Sequence, residues 1–362
     1  MGWEVFTQLS RSGVKTGFLD LDQIALIPGG GTHGLRARNL AAMWPNFRSS
    51  GTRCLVLAGF VDTVDEVREY TELLPDASWT LCRLRVGAGE LKERFLARGW
   101  FAPELADEAV AGAMALDSSG LTDICVDTDG LAVPEVARLV IEQVGSRPDA
   151  APALTSGSVD PVATAVSAAA PAAVLWFSGA TAVGKSTVGY EVFRQVARAG
   201  VPVAYLDLKQ IGTVRPAADD DPEYHRLKAR NLAALWAGYR EDGARYLIVS
   251  GDADRDDTVS RYADLLPGAT LTVCRLHAGP ATLAERVAQR GRGGGPVVPG
   301  DEIRGLSHGA LQRIAERAAH DAEALERAGA GELRVTTDDR PVQDVVGQVL
   351  AHIGGWLEVD GT

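Results

Sequence analysis

The sequence lacks a long hydrophobic run, because no uninterrupted apolar stretch approaches the roughly 18 residues that a membrane-spanning helix requires. The first residues, Met1-Gly2-Trp3-Glu4, also lack the basic segment followed by an apolar stretch that is typical of a signal peptide. Apolar residues make up 46% of the 362 residues and charged residues 23%, as in an ordinary globular chain. We therefore expect a cytoplasmic protein without a membrane partner, and the length favours two domains.

Cysteine is scarce, and its spacing excludes the common metal and redox motifs. Cys54, Cys82, Cys125 and Cys274 form no C-x-x-C pair, so a zinc site is not expected. Each lies in an apolar run typical of a strand, which predicts a small, buried, unpaired thiol. The six histidines form no spaced cluster either.

Positive charge is in deficit, since the formal net charge is -12. A nucleic-acid-binding surface needs a basic stripe, so we expect no nucleic-acid partner. A local basic pocket for one small anion remains compatible with this balance.

The sequence repeats itself. Residues 2–24, GWEVFTQLSRSGVKTGFLDLDQI, match residues 189–211, GYEVFRQVARAGVPVAYLDLKQI, at 13 of 23 positions. The match resumes where LRARNLAA from Leu35 pairs with LKARNLAA from Leu227. We therefore predict two tandem copies of one domain.

The region between the copies is rich in Ala, Pro and Ser and lacks helical periodicity, which is typical of a linker. We place the domains at 1–146 and 172–362, with the linker at 147–171. Each copy alternates short apolar strands with helical patterns, which indicates an α/β fold with a parallel sheet. The strands of the second copy are predicted near 173–178, 203–208, 245–250, 271–276 and 332–336. Its helices are predicted near 185–199, 223–241, 256–265, 280–290, 308–328 and 341–353.

The N-terminal copy lacks its first strand. Met1 aligns with Val188, so the strand and the loop that precede Val188 have no counterpart. Three explanations are open: a true start upstream of Met1, a degenerate domain closed by other residues such as 162–170, or a copy that is only partly ordered.

One motif carries specific chemistry. Residues 179–186, GATAVGKS, fit G-x-x-x-x-G-K-[ST], with an apolar strand before the motif and a helix after it. Such a loop points its backbone amides and a helix N-terminus at a polyphosphate. Lys185 can bridge the β- and γ-phosphates and Ser186 can ligate Mg²⁺, so ATP and Mg²⁺ are the expected cofactors. The predicted nucleotide-binding residues are Gly179, Ala180, Thr181, Ala182, Val183, Gly184, Lys185, Ser186 and Thr187.

Polar residues follow the second and third strands. Asp207 ends the second strand, where a carboxylate faces the phosphate loop; it can orient a substrate hydroxyl, accept its proton or bind Mg²⁺, unless it is a surface residue. Ser250 ends the third strand and is predicted to contact the substrate. Asp252 follows it as a candidate Mg²⁺ ligand or, alternatively, a helix cap.

Two groups of basic residues are candidates for anion recognition. Arg226, Arg230 and Asn231 cluster on one helix and suit an anionic substrate, although a solvated helix start would look the same. Arg286, Arg290 and Arg292 run into the segment Gly293-Gly294-Gly295, and a closing lid with catalytic arginines needs this composition. The alternative is a solvated helix end with a loose loop.

These motifs together resemble adenylylsulfate kinase and the wider group of shikimate- and gluconate-kinase-like proteins. The resemblance covers most of 172–350 and, more weakly, 2–145. It implies a P-loop NTPase three-layer sandwich with a parallel sheet in the order 2-3-1-4-5. It also implies transfer of the γ-phosphoryl group of ATP to a hydroxyl of a small, anionic metabolite. In that family pattern Asp207 matches the first Asp of a D-x-D motif, and the two basic groups match the substrate helix and the lid.

The second Asp of the D-x-D motif is Lys209 here, and residues 212–222 carry no recognisable adenylylsulfate signature. A kinase for another metabolite or an antibiotic therefore stays open. Two other functions stay open as well: an ATP-binding regulatory module without turnover, and a P-loop ATPase coupled to a protein partner. The sequence makes no prediction of the oligomeric state or of the acceptor.

Overall fold

The computed structural model describes residues 1–97, 102–145, 172–251, 256–295 and 300–354. No helix within these ranges is long and apolar enough to cross a membrane.

The N-terminal part of the chain alternates helices and strands. In chain order its elements are α1 (Gly2–Arg11), β1 (Thr16–Asp20), a 3₁₀ turn (Leu21–Ile24), α2 (His33–Ser49), β2 (Cys54–Ala58), α3 (Val64–Leu73), β3 (Cys82–Arg85), α4 (Ala88–Ala97), α5 (Leu105–Ser119), β4 (Ile124–Asp127) and α6 (Val133–Gly145).

The C-terminal part repeats this alternation with one more strand at its start. Its elements are β5 (Ala172–Ser178), α7 (Lys185–Arg198), β6 (Val203–Asp207), a 3₁₀ turn (Leu208–Gln210), β7 (Thr213–Arg215), α8 (His225–Glu241), β8 (Tyr246–Ser250), α9 (Asp256–Ala263), β9 (Ala269–His277), α10 (Pro280–Gly291), α11 (His308–Ala328), β10 (Leu333–Thr336) and α12 (Val342–His352).

A five-stranded sheet in the order β10-β9-β5-β8-β6 forms the centre of the C-terminal part, and its printed strand pairs are parallel. When only the five strands of this sheet are numbered along the chain, starting from β5, the order is 2-3-1-4-5, so this prediction is confirmed. β5 is almost wholly buried because β8 and β9 pair with its edges and helices cover its faces. The carboxyl ends of these strands meet at one edge of the sheet, where ligands bind in such folds.

The local sequence explains where several of these helices begin and end. Pro280 at the first position of α10 needs no backbone donor there. Ser307 caps α11 by accepting a hydrogen bond from the Ala310 amide, and Gly329 ends the helix in the left-handed conformation. Consequently α11 has the bounds 308–328 that the sequence predicts.

The chain divides into two compact units that interleave along the sequence. One consists of Met1–Phe18, the described residues of 51–159, and Val214–Pro216. The other consists of Leu19–Ser50 and the described residues of 160–213 and 217–362. Residues 19–50 therefore group with the C-terminal part, which differs from a simple division at the linker; the tandem duplication itself stays a prediction.

Helix packing within the second unit accounts for this difference. α2 packs against α8, and the backbone N–H of Tyr205 on β6 donates to the Leu26 carbonyl at 2.9 Å. The segment that holds the 3₁₀ turn and α2 is thus bonded to the edge strand of the five-stranded sheet.

Most residues of two small sheets, β2-β1-β7 and the parallel pair β3-β4, belong to the first unit. Within 1–97 and 102–145 no strand joins β2 to β3, where the C-terminal part has β5. The proposed replacement strand at 162–170 lies outside the described residues.

All four cysteines are unpaired thiols, as predicted, but their burial varies. Cys274 is buried, which raises the pKa of its thiol to about 12, while Cys54 and Cys82 are half-buried. Cys125 is exposed, so the prediction of burial is wrong there; its β4 neighbour Val126 points into the core instead.

A buried arginine on the sheet makes stability depend on pH. Arg275 donates to Glu326, which also pairs with Arg334 and lies 3.7 Å from His277 Nδ1. The hydrogen bonds from Arg275 and Arg334 lower the pKa of Glu326 from 4.5 to about 2. The stabilisation is therefore complete above pH 4.5 and is lost as pH falls toward 2.

We expect Glu326→Gln to lower the urea midpoint of unfolding at pH 7. The difference from the unmodified chain should shrink as pH falls from 4.5 toward 2, because the carboxylate becomes protonated there. A difference that stays constant across this window would contradict the assignment.

Candidate functional site

Residues 179–186 connect β5 to α7 in a tight loop with left-handed backbone at three positions. The φ angles are +136° at Gly179, +65° at Ala182 and +108° at Gly184. A Cβ atom built on Gly179 would lie 2.4 Å from the Leu276 carbonyl oxygen, so only glycine fits. Ala182 is a non-glycine residue in this region, a strained conformation that is concentrated at functional loops.

We expect Gly179→Ala to destabilise the chain by about 1–3 kcal/mol, because it adds backbone strain and a collision with the Leu276 carbonyl. Gly200→Ala is the matched control: its φ is +81°, but no atom lies within 4 Å of the added Cβ. It should cost only the conformational strain, about 1 kcal/mol. Urea unfolding of both variants separates the two effects, and equal losses would contradict the close approach at Gly179.

Lys185, the first residue of α7, is a buried cation, with 8% of its surface exposed. Its ammonium donates to the carbonyl oxygens of Gly179 at 2.7 Å and Ala180 at 3.1 Å. The loop therefore folds around its own lysine, and the positive charge is held at the turn that precedes the helix.

Ser186 and Asp207 are joined directly. The Ser186 hydroxyl donates to Asp207 Oδ2 at 2.6 Å, and the Lys209 amide donates to Asp207 Oδ1 at 2.9 Å. Asp207 is 7% exposed and ends β6, next to β8 in the sheet. A hydroxyl and a carboxylate, both hard oxygen ligands, thus lie side by side at the first turn of α7.

Ser250 differs from its predicted role as a substrate contact. It is fully buried, and its hydroxyl donates to the Lys185 carbonyl at 3.1 Å. A Cβ atom on Gly189 would lie 2.3 Å from Ser250 Oγ, so glycine is needed for α7 to approach β8 this closely. Ser250 therefore fixes the helix that follows the loop.

Arg286 also differs from its predicted role as a lid arginine. Its guanidinium donates to the Val183 carbonyl at 3.0 Å, to Thr337 Oγ1 at 2.9 Å and to the Thr337 carbonyl at 2.8 Å. These bonds tie the phosphate loop to the end of β10, so Arg286 holds the loop in place.

Thr337 is a site residue that the sequence reasoning missed. The available signal was its recurrence in the first copy, where Arg94 donates to Thr128 Oγ1 at 3.3 Å. The same Arg–Thr pairing thus occurs in both parts of the chain, and Arg286 additionally donates to the Val183 carbonyl of the phosphate loop.

The other two predicted lid arginines lie at the end of α10. Arg290 pairs with Asp301 at 2.8 Å, and Arg292 is exposed at the helix end, before Gly293. Residues 296–299 lie outside the described residues.

Three residues on α8 were predicted to bind the substrate, and in the structure one of them is buried and two are exposed. Asn231 is fully buried and donates to the Ile211 carbonyl at 2.5 Å, so it holds the fold and does not face a substrate. Arg226 is exposed and forms a two-pronged pair with Asp220 at 2.6 and 2.8 Å. Arg230 is exposed as well, 3.3 Å from the Ser49 hydroxyl. Asp252, the third predicted Mg²⁺ ligand, lies outside the described residues.

A cavity of about 200 Å³ lies in the first unit, between α4, α5, β3 and β4. Its carboxylates are already bonded within the fold: Asp127 to Arg85, Asp117 to Arg83, and Asp129 to the Gly87 amide. Within the described part of the chain, no group of three or more His, Cys, Asp or Glu side chains is placed to hold a metal ion.

The strand order 2-3-1-4-5, with a phosphate loop between the first strand and its helix, gives the C-terminal part the fold of a P-loop kinase. No protein-family model matches the sequence, and no curated protein matches it significantly.

Several solved structures are similar to this chain at low identity. A gluconokinase from Sinorhizobium meliloti has 18% identity over 52% of this chain and 94% of its own, with a TM-score of 0.35. A tunicamycin resistance protein from Deinococcus radiodurans has 17% identity over 51% and 96%, with a TM-score of 0.34. The Mycobacterium tuberculosis APS kinase in complex with AMPPNP and APS has 17% identity over 51% and 99%, with a TM-score of 0.31. The fold assignment rests on the strand order and the loop, and not on these likenesses.

Proposed function

We propose that the C-terminal part of the chain is an ATP- and Mg²⁺-dependent kinase that phosphorylates a hydroxyl of a small, anionic metabolite. The observation that carries this proposal is the 2.6 Å bond between Ser186 and Asp207 on a loop that also buries Lys185. A hydroxyl, a carboxylate and an ammonium gathered at one helix N-terminus are the groups that phosphoryl transfer needs.

The loop suits the polyphosphate of ATP. Its backbone amides and the N-terminus of α7 attract negative charge. Lys185 is now held by the carbonyls of Gly179 and Ala180, and it can exchange these partners for phosphate oxygens without leaving the loop. Arg286 keeps the loop in the binding conformation through Val183.

The donor set also suits Mg²⁺, which prefers oxygen ligands. Bound Mg²⁺ supplies positive charge to the β- and γ-phosphate oxygens. Ser186 would hold it directly and Asp207 through its water shell, and we retain Asp252 as a proposed further ligand.

In the transfer step, the acceptor hydroxyl oxygen bonds to the γ-phosphorus while the bond from that phosphorus to the β–γ bridging oxygen breaks. The hydroxyl proton passes to the Asp207 carboxylate, and ADP is the leaving group. Arg290 and Arg292 remain proposed lid residues that neutralise charge on the transferring group.

Charge at the turn after Asp207 supports an anionic acceptor. The first copy has Asp22 at this turn, paired with Arg36 at 3.1 Å. The corresponding residues of the second copy are Lys209 and Lys228, so two cations replace a neutral pair. Arg230 on α8 adds to this positive charge, and Arg226 would contribute by exchanging its pair with Asp220 for the acceptor.

The experiment that tests this function measures ADP formation from MgATP with matched acceptors. Each anionic acceptor is paired with a neutral analogue: gluconate with glucose, and adenylylsulfate with adenosine. We expect ADP formation that depends on an acceptor and favours its anionic form. Formation without any acceptor, stimulated by a protein, would favour the coupled ATPase.

The second candidate is a regulatory module that binds ATP without turnover, and Lys209 in place of an acidic residue is the observation that favours it. Tight ATP binding with no ADP formed from any acceptor would support this candidate and contradict the kinase.

A further inference from the structure

The helices α2 and α8 carry the repeated sequence, and they make matched contacts within the second unit. Asn39 on α2 and Asn231 on α8 stand at equivalent positions, and both are buried. Asn39 Nδ2 donates to the Ile24 carbonyl at 2.6 Å, and Asn231 Nδ2 donates to the Ile211 carbonyl at 2.5 Å. Each asparagine thus anchors the end of a 3₁₀ turn.

Each of these turns begins at an aspartate. Asp20 accepts a hydrogen bond from the Asp22 amide, and Asp207 accepts one from the Lys209 amide in the same way. Only Asp207 also accepts from a phosphate-loop residue, Ser186. The turn held by Asn231 is therefore the one that positions a candidate catalytic carboxylate.

The two helices differ in one contact. Asn46 on α2 donates through Nδ2 to Asn231 Oδ1 at 3.0 Å. The residue equivalent to Asn46 on α8 is Gly238, where a Cβ atom would lie 2.2 Å from Asn39 Oδ1. Within the described part of the chain Asn39 Oδ1 accepts no hydrogen bond. Of the two asparagines that anchor the turns, only Asn231 therefore accepts a hydrogen bond from the other helix, and its turn is the one that carries Asp207.

We propose that Asn46 is a positioning residue for phosphoryl transfer, acting through Asn231 on the turn that holds Asp207. This inference rests on the proposed kinase function. The Asn46 amide fixes the orientation of the Asn231 amide, so Asn231 keeps its donor aimed at the Ile211 carbonyl. Without this bond the turn would move relative to Ser186, and misplacement of a reacting group slows transfer. The net free energy of one such hydrogen bond corresponds to a loss of rate of about tenfold.

The test uses two variants of the full chain. Asn46→Asp keeps the shape of the side chain but removes the donor, and Asn46→Ala removes the donor without adding charge. In both we expect kcat to fall about tenfold with an unchanged KM for ATP. We also expect faster hydrogen exchange in the peptide that spans residues 205–212.

The matched control is Arg38→Ala. It breaks the 2.6 Å ion pair between Arg38 on α2 and Asp242 after α8, but leaves Asn46 and Asn231 intact. If Asn46 acts only by holding the helices together, Arg38→Ala should change exchange and kcat equally. The proposal requires that it changes neither.

Wild-type exchange and kcat in both Asn46 variants would overturn the inference. Failure of the kinase function gives a different result: the unmodified chain would then transfer no phosphoryl group. The exchange comparison needs no turnover, so it decides in either case whether Asn46 holds the turn.

Discussion

Lys185→Ala is expected to reduce phosphoryl transfer by on the order of 10³-fold, the cost of removing a preorganised charged donor from the transition state. Lys185 is the buried ammonium of the phosphate loop, and α7 contains no other lysine. The variant should also bind ATP more weakly, because the β- and γ-phosphates lose their cation. Transfer assays and ATP titration measure the two effects separately.

The control for this variant is Lys92→Ala. Lys92 is exposed and pairs with Asp107 in the first unit, so its loss should leave transfer unchanged. Thermal unfolding of both variants shows whether either change disturbs the fold. A Lys185→Ala protein that retains wild-type transfer would contradict the assignment of the loop.

Asp207→Asn is expected to reduce kcat by about 10²-fold or more, the usual contribution of a positioned general base. Asparagine has the same shape and can still accept from Ser186 or the Lys209 amide, so the turn should keep its structure. It cannot take the proton of the acceptor hydroxyl. We expect MgATP to bind within a few-fold of its wild-type affinity, which would place the loss in the chemical step.

The first copy provides the matched control, Asp20→Asn. Asp20 begins the equivalent turn and accepts the equivalent amide, from Asp22, whereas Asp207 also accepts from Ser186 of the phosphate loop. This variant should leave kcat unchanged. Equal losses in the two variants would show that the aspartates act only on the structure.

Much of the C-terminal part of the chain could be predicted because its signals are local. The motif at 179–186 fixes a strand, a loop and a helix together, and capping residues such as Ser307 and Gly329 fix helix ends. The side chains of the site were harder to predict. Its position at the end of a strand shows which edge of the sheet Ser250 occupies. Whether its side chain is buried depends on the close approach of Gly189 on α7, which the strand pattern does not show.

The sequence patterns did not predict which helices pack against each other. α2 and α8 share the pattern R/K-A-R-N-L-A-A, and nothing in this pattern shows that the two helices pack on each other. Asn231 was therefore expected to contact a substrate. In the structure its side-chain oxygen accepts a hydrogen bond from Asn46, and its side-chain nitrogen donates one to the Ile211 carbonyl. Arg286 was likewise expected in a lid because it precedes a Gly-rich segment, and that local pattern could not reveal its partner Thr337, which is 51 residues away.

The most direct test of the central claim is transfer of label from ATP to an acceptor. The chain is incubated with Mg²⁺, an anionic acceptor and ATP labelled at the γ-phosphate or, in parallel, at the α-phosphate. We expect γ-label to appear on the acceptor, α-label to stay on the nucleotide, and both Lys185→Ala and Asp207→Asn to lose the transfer. Label that reaches no acceptor, although the chain binds MgATP through Lys185, would contradict the account.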